Sequence, residues 1–307
     1  MSNHQDILSK LDNKYKKISQ NLDTHLDGLL HSKPITYWDY INTDALLSLQ
    51  TQRTDQPDEM VFLMYHQINE LLFKMMLWEL DQLATEQNIT ATFFKERLSR
   101  VSRYFDMLSS SFTVMQHGMD LKQYMKFRNT LTPASGYQSA QYRKIEFAST
   151  EIINLVDNRF RHKKSKNITI KDAFNDLYWQ VAGKDFETGQ KNFMLSSFEE
   201  RYKEELLRFG KEYSTKNLWS IFKGLPSEIQ EDKGLIEAMR HYDYTVNITW
   251  VIAHFNAAKH YLTNGGEITE ATGGSDWTKY MHPKYQRRIF FPELWSEQER
   301  KDWGTNV

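Results

Sequence analysis

Apolar residues along this chain recur every three or four positions, and the strict alternation of half-buried strands is almost absent. Residues 4–30 carry the helical pattern, with an end near Gly28, and a second helix is expected from Thr36 or Tyr37 through "DALLSLQ". "TQRTDQP" then reads as a loop. Pro57 suits the first turn of the next helix, where Asp58 and Glu59 face the positive end of the helix dipole. Within "DEMVFLMYHQINELLFKMMLWELDQL" the spacing of Val61, Met64, Ile68, Leu71, Leu72 and Met75 predicts a stripe facing a core. Further helices are predicted over about 91–117, up to the loop at Pro133, and from Ser139 to Asn158. The stretch 160–230 is charged and less regular, so short helices are expected there. "GLIEAMRHYDYTVNITWVIAHFNAAKHYLTNGG" reads as one long helix closed by Asn264, Gly265 and Gly266. The tail is rich in loops and carries "RRIFFPELWSEQE". No internal repeat, low-complexity segment or interdomain linker breaks the pattern. The expected architecture is one all-α domain over 1–307, a helical bundle with an irregular helical insertion at about 160–230.

Composition supports helices, since 6 prolines and 13 glycines in 307 residues leave few interruptions. A formal net charge of −1 offers no general attraction to nucleic acid or to an anionic membrane. No apolar run approaches membrane-spanning length, and the polar start "MSNHQDILSKLDNKYKK" does not read as a signal peptide. The absence of cysteine excludes disulfides, thiolate metal sites, thioether-linked haem and a cysteine nucleophile. It is compatible with a reducing cytoplasm, which is where the chain is expected.

Two of the ten histidines lie in apolar helical settings. His66 follows Tyr65, with Phe62 one turn before it and Phe73 two turns after. His254 follows Trp250 by one turn, among Ala253, Ala257 and Ala258, and such small neighbours leave room for a flat cofactor. Each can equally be a packed histidine satisfied by a hydrogen bond. No HxxxH or HExxH spacing supports a zinc site. Arg128 lies one turn after Tyr124 and beside Phe127, and a guanidinium is suited to gripping a carboxylate through two parallel bonds. It can also be a surface arginine lying over aromatics. The loop after it, "TPASGYQS", is small and hydroxyl-rich, with Arg143 beyond it. In "TEATGGSDW", Gly273 and Gly274 beside Thr272 and Ser275 can bring donors to an anion or form a plain turn. No GK[ST] ending makes it a P-loop.

In order along the chain, "DEMVFLMYHQINELLFK", "YMKFRNTLTPASGYQSAQYRKIE", "WVIAH", "ATGGS" and "FFPELW" closely resemble the tryptophan 2,3-dioxygenase family. The resemblance runs from "ITYWDYINTDALLSLQ" to "FFPELW", and its HQxxELxFK and PASGxQSxQYR blocks are long and specific. It implies an all-α, haem-binding bundle that assembles as a homotetramer around haem b. By position, His254 would be the proximal iron ligand, with Trp250 beside it in the cofactor pocket. Ser135 and Gly136 would lie beside the haem. His66 would stand near the substrate's indole N–H, Phe62 and Tyr124 would line the substrate pocket, and Arg128 would hold the carboxylate. Thr272 would hydrogen-bond the amino acid's polar end. Tyr37 and Tyr40 match residues that reach a neighbouring subunit's pocket. Arg143 is given no catalytic role and is read as one half of a structural ion pair.

The implied reaction inserts both atoms of O2 across the indole C2–C3 bond of L-tryptophan, giving N-formylkynurenine, the first step of the kynurenine pathway. The chain departs from the family after Thr272, where GGSSG is usual but Ser275 is followed by Asp276 and Trp277. That departure falls over the substrate's polar end and keeps a second reading open, a histidine-ligated haem hydroxylase acting on another aromatic amino acid such as tyrosine. A third reading, from a different class, is a non-catalytic haem-binding or sensor protein. The joint presence of Phe62, His66, Tyr124, Arg128 and Thr272 argues against it, because a sensor needs no amino-acid clamp.

Overall fold

A computed structural model describes residues 3–131, 139–185, 187–264, 267–268, 281–305 and 307. The chain divides into two compact units, Met1–Gln50 and Thr51–Val307.

The first unit holds α1 (His4–Lys16), α2 (Leu22–His31), α3 (Tyr37–Ile41) and α4 (Thr43–Leu46). The single helix expected over 4–30 is therefore two. Ser19 takes a left-handed φ of 57°, which ends α1, and the Asn21 side chain caps α2 by accepting the Asp23 amide. Asn42 likewise sits at φ 57° and divides α3 from α4, where one helix was expected. None of these four helices has a buried residue.

The second unit opens with two long helices, α5 (Asp58–Thr85) and α6 (Ala91–His117). There follow α7 (Leu121–Phe127), α8 (Ala140–Ser149), α9 (Asn158–Arg161), α10 (Ile170–Ala173), α11 (Phe193–Glu212), α12 (Leu218–Gly224), α13 (Ser227–Gln230) and α14 (Lys233–Tyr244). A π-helical turn, Thr245–Thr249, joins α14 to α15 (Trp250–Leu262), and α16 (Pro283–Gln286) and α17 (Glu297–Lys301) lie in the tail. Side-chain caps from Thr90, Asp120, Ser139, Asn192, Asn217 and Asp232 fix the starts of α6, α7, α8, α11, α12 and α14. Each such cap contributes roughly 0.5–2 kcal/mol by satisfying an amide the helix leaves unpaired. The helix expected to reach Asn158 stops at Ser149, whose hydroxyl bonds both Ile145 O and the Tyr242 phenol.

The all-α expectation holds, with one small exception. Where a glycine stop was expected, β1 (Thr263–Asn264) pairs antiparallel with β2 (Glu267–Ile268). Gly265 and Gly266 lie outside the described residues. The expectation of short helices over 160–230 is met as far as Ala182 but fails at α11, a 20-residue helix. Phe174, Trp179, Leu195, Phe198, Trp219 and Phe222 from this stretch enter the same core as Met76 and Leu80 of α5 and Phe94 and Phe105 of α6.

The expected core stripe of α5 is mostly wrong. Leu72 is buried and Val61 partly so, but Met64, Ile68, Leu71 and Met75 are 40–48% exposed and Trp78 is 69% exposed. The buried face instead presents Tyr65, Leu72, Phe73, Met76, Leu80 and Leu83. Apolar residues surround this helix, so spacing offers two stripes and cannot choose between them.

Candidate active site

A smaller apolar cluster joins α5, α6, α7 and α15 beside the main core. It contains Tyr65, Phe112, Met115, Phe127, Ala257 and Tyr261, with Phe62, Tyr124, Trp250 and Ala253 partly buried against it. Most of the residues expected at a site converge here. Phe62 and His66 are one turn apart on α5, and their ring centroids lie 4.1 Å apart. Phe62 is 6.2 Å from Tyr124 on α7. Across the cluster, Trp250 and His254 are one turn apart on α15, with centroids 5.6 Å apart.

His66 keeps an exposed edge and His254 is half-buried, each against the aromatic rings of this cluster. Burial lowers the pKa of His254 to about 4, and the neighbouring His66 would lower it further if charged. Burial also lowers the pKa of His66, against the opposing effects of the Phe62 carbonyl and Glu70. Both rings are therefore neutral near pH 7. His66 Nδ1 lies 2.7 Å from Phe62 O. A carbonyl can only accept, so Nδ1 carries the hydrogen and Nε2 presents a lone pair. The Phe112 ring lies nearly parallel to the His254 imidazole, at 5.4 Å and 9°.

Arg128 is buried at the end of α7, where its guanidinium hydrogen-bonds the Tyr124 phenol. Burial raises the pKa of that phenol and the arginine's charge partly offsets the rise. Tyr124 also packs 4.4 Å from Tyr261, whose hydroxyl donates to Met115 O. Close by, the Glu59 carboxylate accepts the amides of Arg53 and Thr54, both at 2.8 Å, and so fastens the 51–57 loop to the start of α5.

Three residues shaping the cleft were not anticipated: Tyr65, Phe112 and Tyr261. Each carried a signal. Tyr65 is adjacent to His66, Phe112 falls seven residues after Phe105 on one face of α6, and Tyr261 falls seven after His254. Ser135, Gly136 and Thr272 lie outside the described residues, as do Gly273, Gly274, Ser275, Asp276 and Trp277. Tyr37 and Tyr40 stand on α3 of the first unit, 72% and 73% exposed.

Arg143 does form an ion pair. Its Nη1 lies 2.9 Å from Glu146 Oε2, within a buried group that also holds Arg288 and Tyr178. Tyr142, its neighbour on α8, packs 4.7 Å from Trp250 and so connects this group to the wall of the cleft.

The family described as tryptophan 2,3-dioxygenase matches residues 26–230. A tryptophan 2,3-dioxygenase of Ruegeria sp. (strain TM1040) is 44% identical over 115 residues, 37% of this chain and 40% of that protein. Another from Ruegeria pomeroyi is 37% identical over 135 residues, 42% of this chain and 48% of the relative. A third, from Bacillus thuringiensis subsp. konkukian, is 26% identical over 273 residues, 85% of this chain and 91% of the relative. The matches thus span less than half of the two Ruegeria proteins and most of the Bacillus one. With two thirds of its length matched by one family, this chain belongs to the tryptophan 2,3-dioxygenase family.

Proposed function

We propose that this protein is a haem-dependent dioxygenase that inserts O2 across the indole C2–C3 bond of L-tryptophan and releases N-formylkynurenine. The observation that carries the reading is a pair of neutral histidines on α5 and α15 set against one aromatic cluster, with Arg128 and Tyr124 at its edge. The donor set fits haem b. Among the described residues no group of three or more His, Cys, Asp or Glu can hold a metal ion. A metal bound by His254 would therefore take most of its ligands from a prosthetic group. The small alanines beside His254 suit a flat partner, and Phe112 packs along the face of the imidazole.

Bound ferrous haem supplies the binding and activation of O2. The chain's own residues orient the other reactant. Arg128 fixes the carboxylate of tryptophan through two parallel bonds. His66 Nε2, its lone pair directed by the Nδ1–H bond to Phe62 O, accepts the indole N–H. Phe62 and Tyr124 pack against the ring and exclude water from the reacting edge. Thr272 is assigned to the substrate's polar end, and Ser135, Gly136 and Trp250 to the haem pocket.

We place the protein in the cytoplasm, as the first enzyme of the kynurenine pathway, and read it as a homotetramer in which Tyr37 and Tyr40 of one copy reach the pocket of another. The exposed stripe Met64–Ile68–Leu71–Met75–Trp78 on α5 supports assembly with further copies, since a contiguous apolar face is costly to leave in water. The test is turnover by reduced, haem-loaded protein supplied with L-tryptophan and O2. N-formylkynurenine is the expected product. Tyrosine hydroxylation, or a spectral response to tryptophan without turnover, would sink this reading. In parallel, His254→Ala should fold and lose stoichiometric haem. Retention of haem with an unchanged spectrum would remove His254 as the ligand.

A further inference from the structure

From Lys233 to Leu262 the chain runs as one helical rod, α14, the π-turn and α15. At its centre the Trp250 amide bonds Thr245 O, five residues back instead of four. A turn of this kind accommodates one extra residue, and each residue of an α-helix advances by about 100°. The effect is visible in burial. Leu235, Met239, Tyr242 and Val246 define the inward face of the first half. Continuing their spacing without interruption would turn Thr249, Ala253 and His260 inward. Thr249 and His260 are exposed instead, and the inward positions are taken one residue later by Trp250, His254 and Tyr261.

The turn is gripped from outside. Asn247 Nδ2 donates to Asp243 Oδ1 at 2.6 Å. The same carboxylate accepts the amides of Phe290 and Phe291, at 2.8 and 3.0 Å, and Trp295 Nε1 at 3.0 Å. The "FFPELW" stretch is thus a clasp on Asp243. Burial raises the pKa of Asp243, and the four donors oppose that rise by favouring the ionised carboxylate.

We propose that the π-turn is a phase corrector: it absorbs one residue so that Trp250 and His254 face the cleft, and Asn247 and Asp243 are the positioning residues that hold it open. The inference rests on His254 being the haem ligand, and it assigns to these residues the direction of that ligand.

Single-residue deletions test it. Removing exposed Thr249 lets the rod run as unbroken α-helix with Trp250 and His254 still inward, so haem stoichiometry and the Soret band should be retained. Removing exposed Glu237 from α14 puts the two halves out of phase and should abolish tight haem binding. Asn247→Ala at full length should weaken haem binding at least tenfold, and deleting Thr249 in that background should restore it. A purely structural asparagine would not be rescued by shortening the helix. If deletion of Thr249 costs as much haem as deletion of Glu237, the phase argument is overturned. If Asn247→Ala binds haem like the parent, its positioning role is overturned.

A haem-independent readout separates this from the ligand assignment. The chain has no cysteine, so Thr249→Cys gives a single thiol. In apoprotein it should label rapidly, and at least tenfold more slowly once Asn247→Ala lets the turn close and carries position 249 inward. Equal labelling rates would refute the phase change even if His254→Ala showed the ligand to be another residue.

Discussion

Arg128 and His254 stand at opposite sides of the aromatic cluster's chemistry. The guanidinium is buried beside Tyr124, whereas burial holds His254 neutral. If Arg128 grips the substrate's carboxylate as proposed, loss of that desolvated two-bond contact costs roughly 2–5 kcal/mol because the carboxylate is left unpaired. Arg128→Ala should therefore lower kcat/KM for L-tryptophan by about 30-fold to several thousand-fold. Arg128→Lys should recover little, since an ammonium cannot reproduce the planar fork. Tryptamine, lacking the carboxylate, should be a poor substrate of the parent and should distinguish the two proteins far less. Equal proportional losses for both substrates would remove the carboxylate from the arginine's role. For His254, burial holds the folded pKa at about 4, below the ordinary histidine value of 6.5. The unfolded chain then binds the proton more readily, so this contribution to stability is full above about pH 6.5 and is lost as pH falls towards 4. In apoprotein it amounts to on the order of 3 kcal/mol. Urea unfolding of parent and His254→Phe at pH 7 and pH 4 should show the parent losing more by about that amount. Parallel losses would contradict it.

At the level of elements, α8 and the tail are joined by charge where most neighbours are joined by apolar packing. Glu146 is fully buried and meets both Arg143 and Arg288, with the Tyr178 hydroxyl donating to it at 2.5 Å. Two guanidiniums facing one carboxylate leave a formal surplus of one positive charge, spread over the rings of Tyr142 and Tyr178. Glu146→Gln removes the only anion of the group and should destabilise the fold by roughly 3–5 kcal/mol, because the arginines stay buried without it. Chemical denaturation measures this directly, and a loss under about 1 kcal/mol would mean that water or a rearranged phenol takes over the role. The motif "RRIFFPELW" was visible beforehand only as a string. Its use, Arg288 onto Glu146 and three donors onto Asp243, arises from contacts separated by 142 and by about 50 residues.

On the scale of the whole molecule, the first unit buries none of its helical residues and α5 exposes five large apolar ones on one face. Charges placed on that face should act on assembly and spare the folded subunit. If the protein is the homotetramer proposed, Leu71→Asp combined with Trp78→Asp should convert it into smaller species by light scattering while helix content by circular dichroism is preserved. If the double variant remains tetrameric, the stripe is not an interface. If the parent is a fully active monomer, Tyr37 and Tyr40 do not complete another copy's pocket.

Helical periodicity and few breakers were enough to predict the all-α class, because these act within a few residues of one another. The long helices at 58–85 and 91–117 follow from that pattern. Phe62, His66, Tyr124, Arg128, Trp250 and His254 were also singled out beforehand, by their apolar settings and by the order of the blocks that contain them. Sequence alone did not decide which stripe of α5 goes inward, since both are apolar and only the packing of α6 and α8 selects one. Nor did it reveal the π-turn. A phase shift of one residue leaves composition and local propensity unchanged, and it is stabilised by Asp243 and by tail residues about fifty positions away. The convergence of two neutral histidines on one cleft is likewise tertiary, because the desolvation that keeps them neutral comes from helices far apart in the chain.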